Sequence, residues 1–412
     1  MSERETASLE ARALTTGPGY HWFGYYDKLQ FDPFDRYVLC MAVDFEGRSP
    51  TVDDRIRIGM IDLQDNDRWV ALGETGAWCW QQGCMLQWIP GSAREVIYND
   101  RAGDGFCCHI LDVYTGERRT IPRAVYALSP DGKTGVGLDF ARTGRLRPGY
   151  GYAGVDPSEH DPAPEDCGIY RIDLETGGSE RIITLAQMAA IPCLDYDHTD
   201  CLHWFNHLLV SPDGERFIFL HRWHAADGTG IRSTRMCTAN LDGSDVRVLH
   251  DGGHFSHFIW RDCDRILAWC TPPGREPGFY LYDARTGMPG TVPKALVPGA
   301  FEPVGPDAMT ADGHCTYLQG GEWVLNDSYP RPRKSDLRER PLYLYHPGED
   351  RRVDIGSFRS PLAYEGEYRC DLHPRSSRDG RLVTIDSVHG GNGRQLYLLD
   401  VSPVVAGVGV GC

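Results

Sequence analysis

A chain of 412 residues with 42 lysines and arginines against 58 aspartates and glutamates carries a formal charge of −16, which excludes a partner recognised through a nucleic-acid phosphate backbone. Its 47 glycines and 27 prolines suit a turn-rich β fold better than a helical one. The opening MSERETASLEARALTT has no apolar run, and no stretch approaches the ~20 apolar residues that cross a bilayer, so the sequence predicts a cytoplasmic protein without a membrane partner.

Residues 3–16 precede the first repeat. From there an apolar strand pattern follows a short Asp/Gly/Arg turn seven times: QFDPFDRYVLCMA (30–42), QWIPGSAREVIYN (87–99), ALSPDGKTGVGLD (127–139), LVSPDGERFIFLH (209–221), IWRDCDRILAWC (259–270), TYLQGGEWVLNDS (316–328) and RSSRDGRLVTIDS (375–387). A second series of seven strands, from IRIGMID to RQLYLLD, runs in step with the first. A repeat of this size predicts seven four-stranded antiparallel units set radially, because that arrangement leaves only short, protected strand edges. The expected fold is therefore an all-β, seven-bladed β-propeller forming one domain over residues 1–412; a sandwich array is the alternative. The last repeat ends at Asp400 with no outermost strand of its own, so the N-terminal segment is expected to pair into the last blade and close the ring. The Gly-, Pro- and charge-rich insertion at about 140–168 reads as a surface loop, and LAQMAAI (185–191) as the one short helix.

Fourteen cysteines without a C-x-x-C read as small core residues in a reducing compartment. Gly149-Tyr-Gly151-Tyr-Ala-Gly154 matches a dinucleotide-binding spacing but neither follows a strand nor opens a helix, which removes that reading. Nucleophile-elbow, phosphate-loop and zinc-protease motifs are absent from the sequence.

Aligned on the turn, the position four residues before it is Lys28, Cys84, Val125, His207, Ser256, His314 and His373, with His257 one place after Ser256. Equivalent positions in successive blades lie at equal radius, so His207, His257, His314 and His373 are expected around one mouth of the channel, a donor set suited to an open metal site. The alternative is that each imidazole only bonds a neighbouring blade. His21, Tyr25, Asp27 and Lys28 in the first inner strand, Asn206, His221 and Arg222 in the fourth blade, and Arg369, Asp371 and Arg375 in the seventh add polar groups. Trp22 and Tyr26 beside them give the composition of a sugar or uronate subsite. By strand alternation, half of Trp22, Phe23, Tyr25 and Tyr26 must instead be core.

NHLLVSPDGERFIFLHRW (206–223), DGHCTYLQGGEWVLNDSYP (312–330) and DLHPRSSRDGRLVTIDS (371–387) resemble the TolB-like and oligogalacturonate lyase propellers. The resemblance covers nearly the whole chain as repeats and the last four blades as motifs. It implies manganese, with zinc or calcium as alternatives, held through His257, His314 and His373, with Gln319 the nearby glutamine. It also implies β-elimination at a 4-linked uronate in a small anionic oligosaccharide. Arg222 and Arg375 are then candidates for carboxylate binding or for the base, and Lys28, His21 or Tyr25 for proton transfer. Trp22, Tyr26, Asn206, His221 and Arg369 are the substrate-binding candidates. Two rivals are a glycoside hydrolase using carboxylates among Asp27, Asp312 and Asp371, and a noncatalytic propeller that binds a protein or peptide. Oligomeric state is not legible.

Overall fold

The computed structural model describes residues 3–193, 197–226, 233–251, 254–272, 274–286, 290 and 301–406. The repeats form seven antiparallel blades around a channel, with inner strands Tyr20–Trp22, Gln87–Trp88, Ala127–Leu128, Cys201–Val210, Phe255–Trp260, Thr316–Tyr317 and Arg375–Ser376. Among the described residues no helix is long and apolar enough to cross a membrane.

The period of two explains how the blades pack. In the second strand of blade one, Tyr37–Val43, Val38 and Cys40 pack with Leu396 and Leu398 of blade seven, while Leu39 and Met41 pack with Trp88 and Val96 of blade two. The second strand of blade four, Arg216–Ala225, divides likewise, Phe217 and Phe219 toward blade three and Ile218 and Leu220 toward blade five. Every second strand is thus buried on both faces, which is why its sequence is a continuous apolar run.

Ser129, Ser211 and Ser377 begin the same turn, each hydroxyl donating to the aspartate two residues on, before a glycine in the left-handed region (Gly132, Gly214 and Gly380, φ 70–76°). The described cysteines are free and most are buried. The short helix falls at Leu185–Ala189, capped by Thr184 and Gln187. A second helix, Phe140–Leu146, opens the insertion and lay outside the sequence expectation.

Arg12–Ala13 pairs antiparallel with Gln395–Asp400 and completes blade seven, so the N-terminal segment closes the ring. Glu3–Thr6 additionally pairs parallel to Arg351–Arg359 as a fifth strand of blade six. Leu14 is buried in the joint and the Thr15 hydroxyl donates to Gln395 Oε1 at 2.7 Å. Deleting residues 3–16 is therefore expected to cost about 3 kcal/mol or more, and deleting 3–8 markedly less, since only the former uncovers the Leu14 site. Equal losses of melting temperature in the two truncations would contradict this closure.

Candidate functional site at one mouth of the channel

Segments that lead into the inner strands, and loops joining second to third strands, meet on one face of the ring. They enclose a cavity of about 200 Å³ lined by Tyr25, Arg147, Tyr150, Asn206, Arg222, His257, Asp312, Tyr329 and Arg333. The insertion sits between the second and third strands of blade three, and so hangs over this mouth and supplies Arg147 and Tyr150. Arg142, buried, pins it by donating to the carbonyls of Ser158, Asp161, Pro162 and His203. Its glycine motif serves backbone packing: Gly149 has φ 90°, and a Cβ on Gly151 would lie 2.2 Å from Gly144 N.

The three aligned histidines and His257 are buried around Tyr25 and Tyr26. The His257 and His314 ring centroids are 4.1 Å apart and those of His314 and His373 4.3 Å, with Tyr25 4.8 Å from His207 and 5.3 Å from His373. His207 and His373 hold φ of 49° and 41°, a left-handed backbone that costs a non-glycine residue of order 1 kcal/mol and turns the side chain away from the regular strand direction.

Three of the four histidines have a carboxylate of their own. His314 Nδ1 lies 2.9 Å from Asp327 Oδ1, His257 Nδ1 2.9 Å from Asp312 Oδ1, and His207 Nε2 3.1 Å from Asp27 Oδ2. With Nδ1 donating to Asp327, a neutral His314 presents its lone pair at Nε2, the relation seen between a metal-bound imidazole and its carboxylate partner. His314 Nε2 and His373 Nε2 are both buried without a hydrogen bond, and lie 3.9 and 4.0 Å from Asp371 Oδ2. Among the described residues, His314, Asp371 and His373 form the one group of three whose ligand atoms all lie within 4.8 Å of one another. Two orphaned imidazole nitrogens and a carboxylate oxygen that converge without bonding each other fit a divalent cation. His207 and His257 stand beside this group, paired with Asp27 and Asp312.

Asp371 is held by Arg340 Nη2 and Arg369 Nε, each at 2.7 Å. Burial alone would raise its pKa, but the two guanidiniums outweigh it and keep the carboxyl well below its usual range. Asp312 is held low by His257 against the effect of burial, and Asp27 is brought to about 2 by Lys28 and His207, again against burial.

Arg222 is the opposite case. It is 5% exposed, yet its guanidinium makes no hydrogen bond or ion pair with any described residue, and burial lowers its pKa to about 10. The Arg147 side chain, over the Tyr150 ring at 4.7 Å, likewise has no carboxylate partner. A buried unpaired cation, with a second, half-buried one facing the same cavity, is costly without an anion, so this is where the structure presents an anion socket.

Several sequence candidates are not brought to this cavity. His221 and Arg222 are neighbours on one strand and point to opposite faces: Arg222 pairs across from Trp204 and faces the cavity side with Asn206, whereas His221 is buried with its Nε2 2.9 Å from His203 Nδ1. His21 lies four residues before Tyr25, bonded to Gln395 and edge-on to Trp69. Trp22 packs against Trp78 and Trp80 in the core between blades one and two, and Tyr26 is tied through its hydroxyl to the backbone of Phe258. Lys28 is sealed against Asp27 at 3.0 Å and, with Gln319, lines a separate cavity that Arg375 also borders. Arg369 is occupied by Asp371 and Tyr150.

Arg375 bridges blades one and seven, bonding Asp386, Gly24 O and Gln30 Oε1 while 2% exposed. Arg375→Met is expected to cost about 3 kcal/mol, because Asp386 is left buried and unpaired, and to leave the turnover of the folded fraction unchanged. A turnover loss without a fall in melting temperature would show that this arginine acts in the site after all.

Along 97% of this chain and 96% of the other, the fold superposes on an oligogalacturonate lyase from Vibrio parahaemolyticus with a TM-score of 0.65 at 17% identity. TolB from Acinetobacter baumannii matches at a TM-score of 0.42 and 16% identity, over 78% of this chain and 63% of that one. A puromycin-hydrolyzing peptidase from Mycobacterium tuberculosis matches at 0.47 and 13%, over 97% and 55%. No family model matches the chain, and no curated protein does. The fold shared with the lyase is the seven-bladed β-propeller.

Proposed function

We propose that this protein is a divalent-metal-dependent lyase that cleaves 4-linked uronate oligosaccharides by β-elimination. The observation that carries the reading is Arg222, a buried arginine with no counter-charge, in the same cavity as unpaired Arg147, a cavity whose Tyr25 ring packs against His314 and His373 and whose Tyr150 is linked through Arg369 to Asp371. In an acidic chain, such a local socket selects a small anion over a polyanion. The shared fold with a lyase supports the same direction.

His314, Asp371 and His373 would hold the cation, manganese or zinc by donor type, which when bound neutralises the uronate carboxylate and so acidifies the C5 hydrogen. Arg222 and Arg147 hold the carboxylate by charge-assisted hydrogen bonds. Asn206, with its Oδ1 buried and unbonded, accepts from a sugar hydroxyl, and the Tyr25 and Tyr329 rings offer apolar faces to the pyranose. A glycoside hydrolase needs one carboxylic acid kept protonated, whereas Asp27, Asp312 and Asp371 are all held ionised.

The test is elemental analysis of the purified protein together with the ultraviolet absorbance of unsaturated product from short oligouronates. About one divalent ion per chain with rising absorbance supports the reading. New reducing ends without absorbance would establish a hydrolase, and metal-loaded protein inert toward every uronate would overturn the proposal.

A further inference from the structure

We propose that Tyr150 Oη takes the C5 proton in this elimination, with Arg369 as the residue that positions it; the inference rests on the lyase reading above. Tyr150 comes from the insertion, is 4% exposed and lines the same cavity as Arg222 and Asp312. Its Oη accepts a hydrogen bond from Arg369 Nη2 at 2.5 Å, while Nε of the same guanidinium binds Asp371 Oδ2 at 2.7 Å. One planar, rigid group therefore fixes the phenol oxygen relative to the carboxylate of the candidate cation site. Tyr150 Oη donates to no described residue, so its remaining bonding direction is free for a substrate.

The groups that face Tyr150 are Arg147, Arg222 and Arg369 on the cationic side, Asp371 and His314 at the cation site, and the phenols Tyr25 and Tyr329. Burial alone would raise its pKa, but Arg369 and then Arg147 outweigh it and bring the phenol to about 8, while Tyr25 and Tyr329 are pushed up by burial. Arg222 remains protonated where Tyr150 has begun to ionise, and losing its charge would remove the carboxylate's partner. His257 and His207 are occupied by Asp312 and Asp27.

In the step, the C5–H bond breaks and its proton passes to the Tyr150 oxygen. The electron pair forms the C4–C5 double bond, the C4–O bond breaks, and the departing oxygen takes a proton from solvent water. Tyr150 then returns its proton to water.

Tyr150→Phe is expected to lower kcat by about 10²–10⁴-fold with KM within a few-fold and metal content equal to wild type. The wild-type rate should rise with pH as the phenol ionises, on a limb that lies below the ordinary tyrosine range because Arg369 and Arg147 favour the phenolate. Removing a cation that favours the phenolate moves that limb upward, so Arg147→Met should show a limb displaced upward on top of the rate lost with its carboxylate contact, whereas Arg369→Lys keeps the charge but not the planar two-point clamp and should lower the rate with a smaller displacement of the limb. Tyrosinate ultraviolet absorbance gives a readout without turnover: one tyrosine titrating near the limb in wild type, lost in Tyr150→Phe and displaced upward in Arg147→Met. An active wild type with an equally active, folded Tyr150→Phe overturns the assignment alone. A metal-loaded wild type that forms unsaturated product from no uronate overturns the lyase reading, and the assignment with it.

Discussion

Replacing His373 with alanine is expected to remove the bound divalent ion and reduce elimination by at least about 10³-fold, at a cost of no more than about 1–2 kcal/mol in stability. The small cost follows from its surroundings: His373 Nε2 has no hydrogen bond to lose, and the blades on either side bury their own cores. Asp371→Asn should also lose the ion, but with a different signature. Arg340 and Arg369 are both held by that carboxylate, so weakening it leaves two cations undercompensated and should cost about 3 kcal/mol or more. Elemental analysis and thermal melts of the two variants separate the roles, ligand in one and ligand plus clamp in the other. His373→Ala retaining a full equivalent of metal would show that the convergent nitrogens are not the ligand set.

Much of this was legible in the chain because it is periodic. Alternating apolar positions such as Val38/Leu39 and Phe217/Ile218, punctuated by the Ser-x-Asp-Gly turns, dictate a ring of blades whatever the local propensity, and the missing last strand points to closure by the N-terminal segment, which pairs there through residues 12–13. The same periodicity gathers His207, His314 and His373, since a fixed offset from a repeated turn is a fixed radius. What it does not carry is the pairing of charges around the channel. Lys28 and Arg375 look like free cations in sequence, but Asp27 and Asp386 neutralise them, the second pair joining the inner and second strands of blade seven. His221 and Arg222 look equivalent until strand pairing sends them to opposite faces. Arg147 and Tyr150 sit in an insertion outside the repeat register, so no alignment points to them. Their signal was positional: a loop between second and third strands lies over the mouth where the inner strands begin.

Arg222→Met is expected to abolish elimination and, at the same time, to raise the melting temperature. An arginine that is 5% exposed with no anion beside it carries a desolvation cost that a methionine of similar length avoids, so a gain of about 1 kcal/mol or more is expected in the ligand-free protein. The activity loss follows from the same geometry. Without Arg222 the uronate carboxylate faces only Arg147 and the cation, and losing one preorganised charged donor costs about 10²–10³-fold in rate. The two effects are linked through binding: a uronate that pairs with Arg222 should stabilise wild type against heat and leave the variant unmoved. Measuring thermal shifts with and without a non-cleavable uronate, such as the free monosaccharide, therefore reads the socket independently of turnover. If Arg222→Met is instead destabilised and still shifted by the ligand to the same extent, the guanidinium is structural and the anion binds elsewhere.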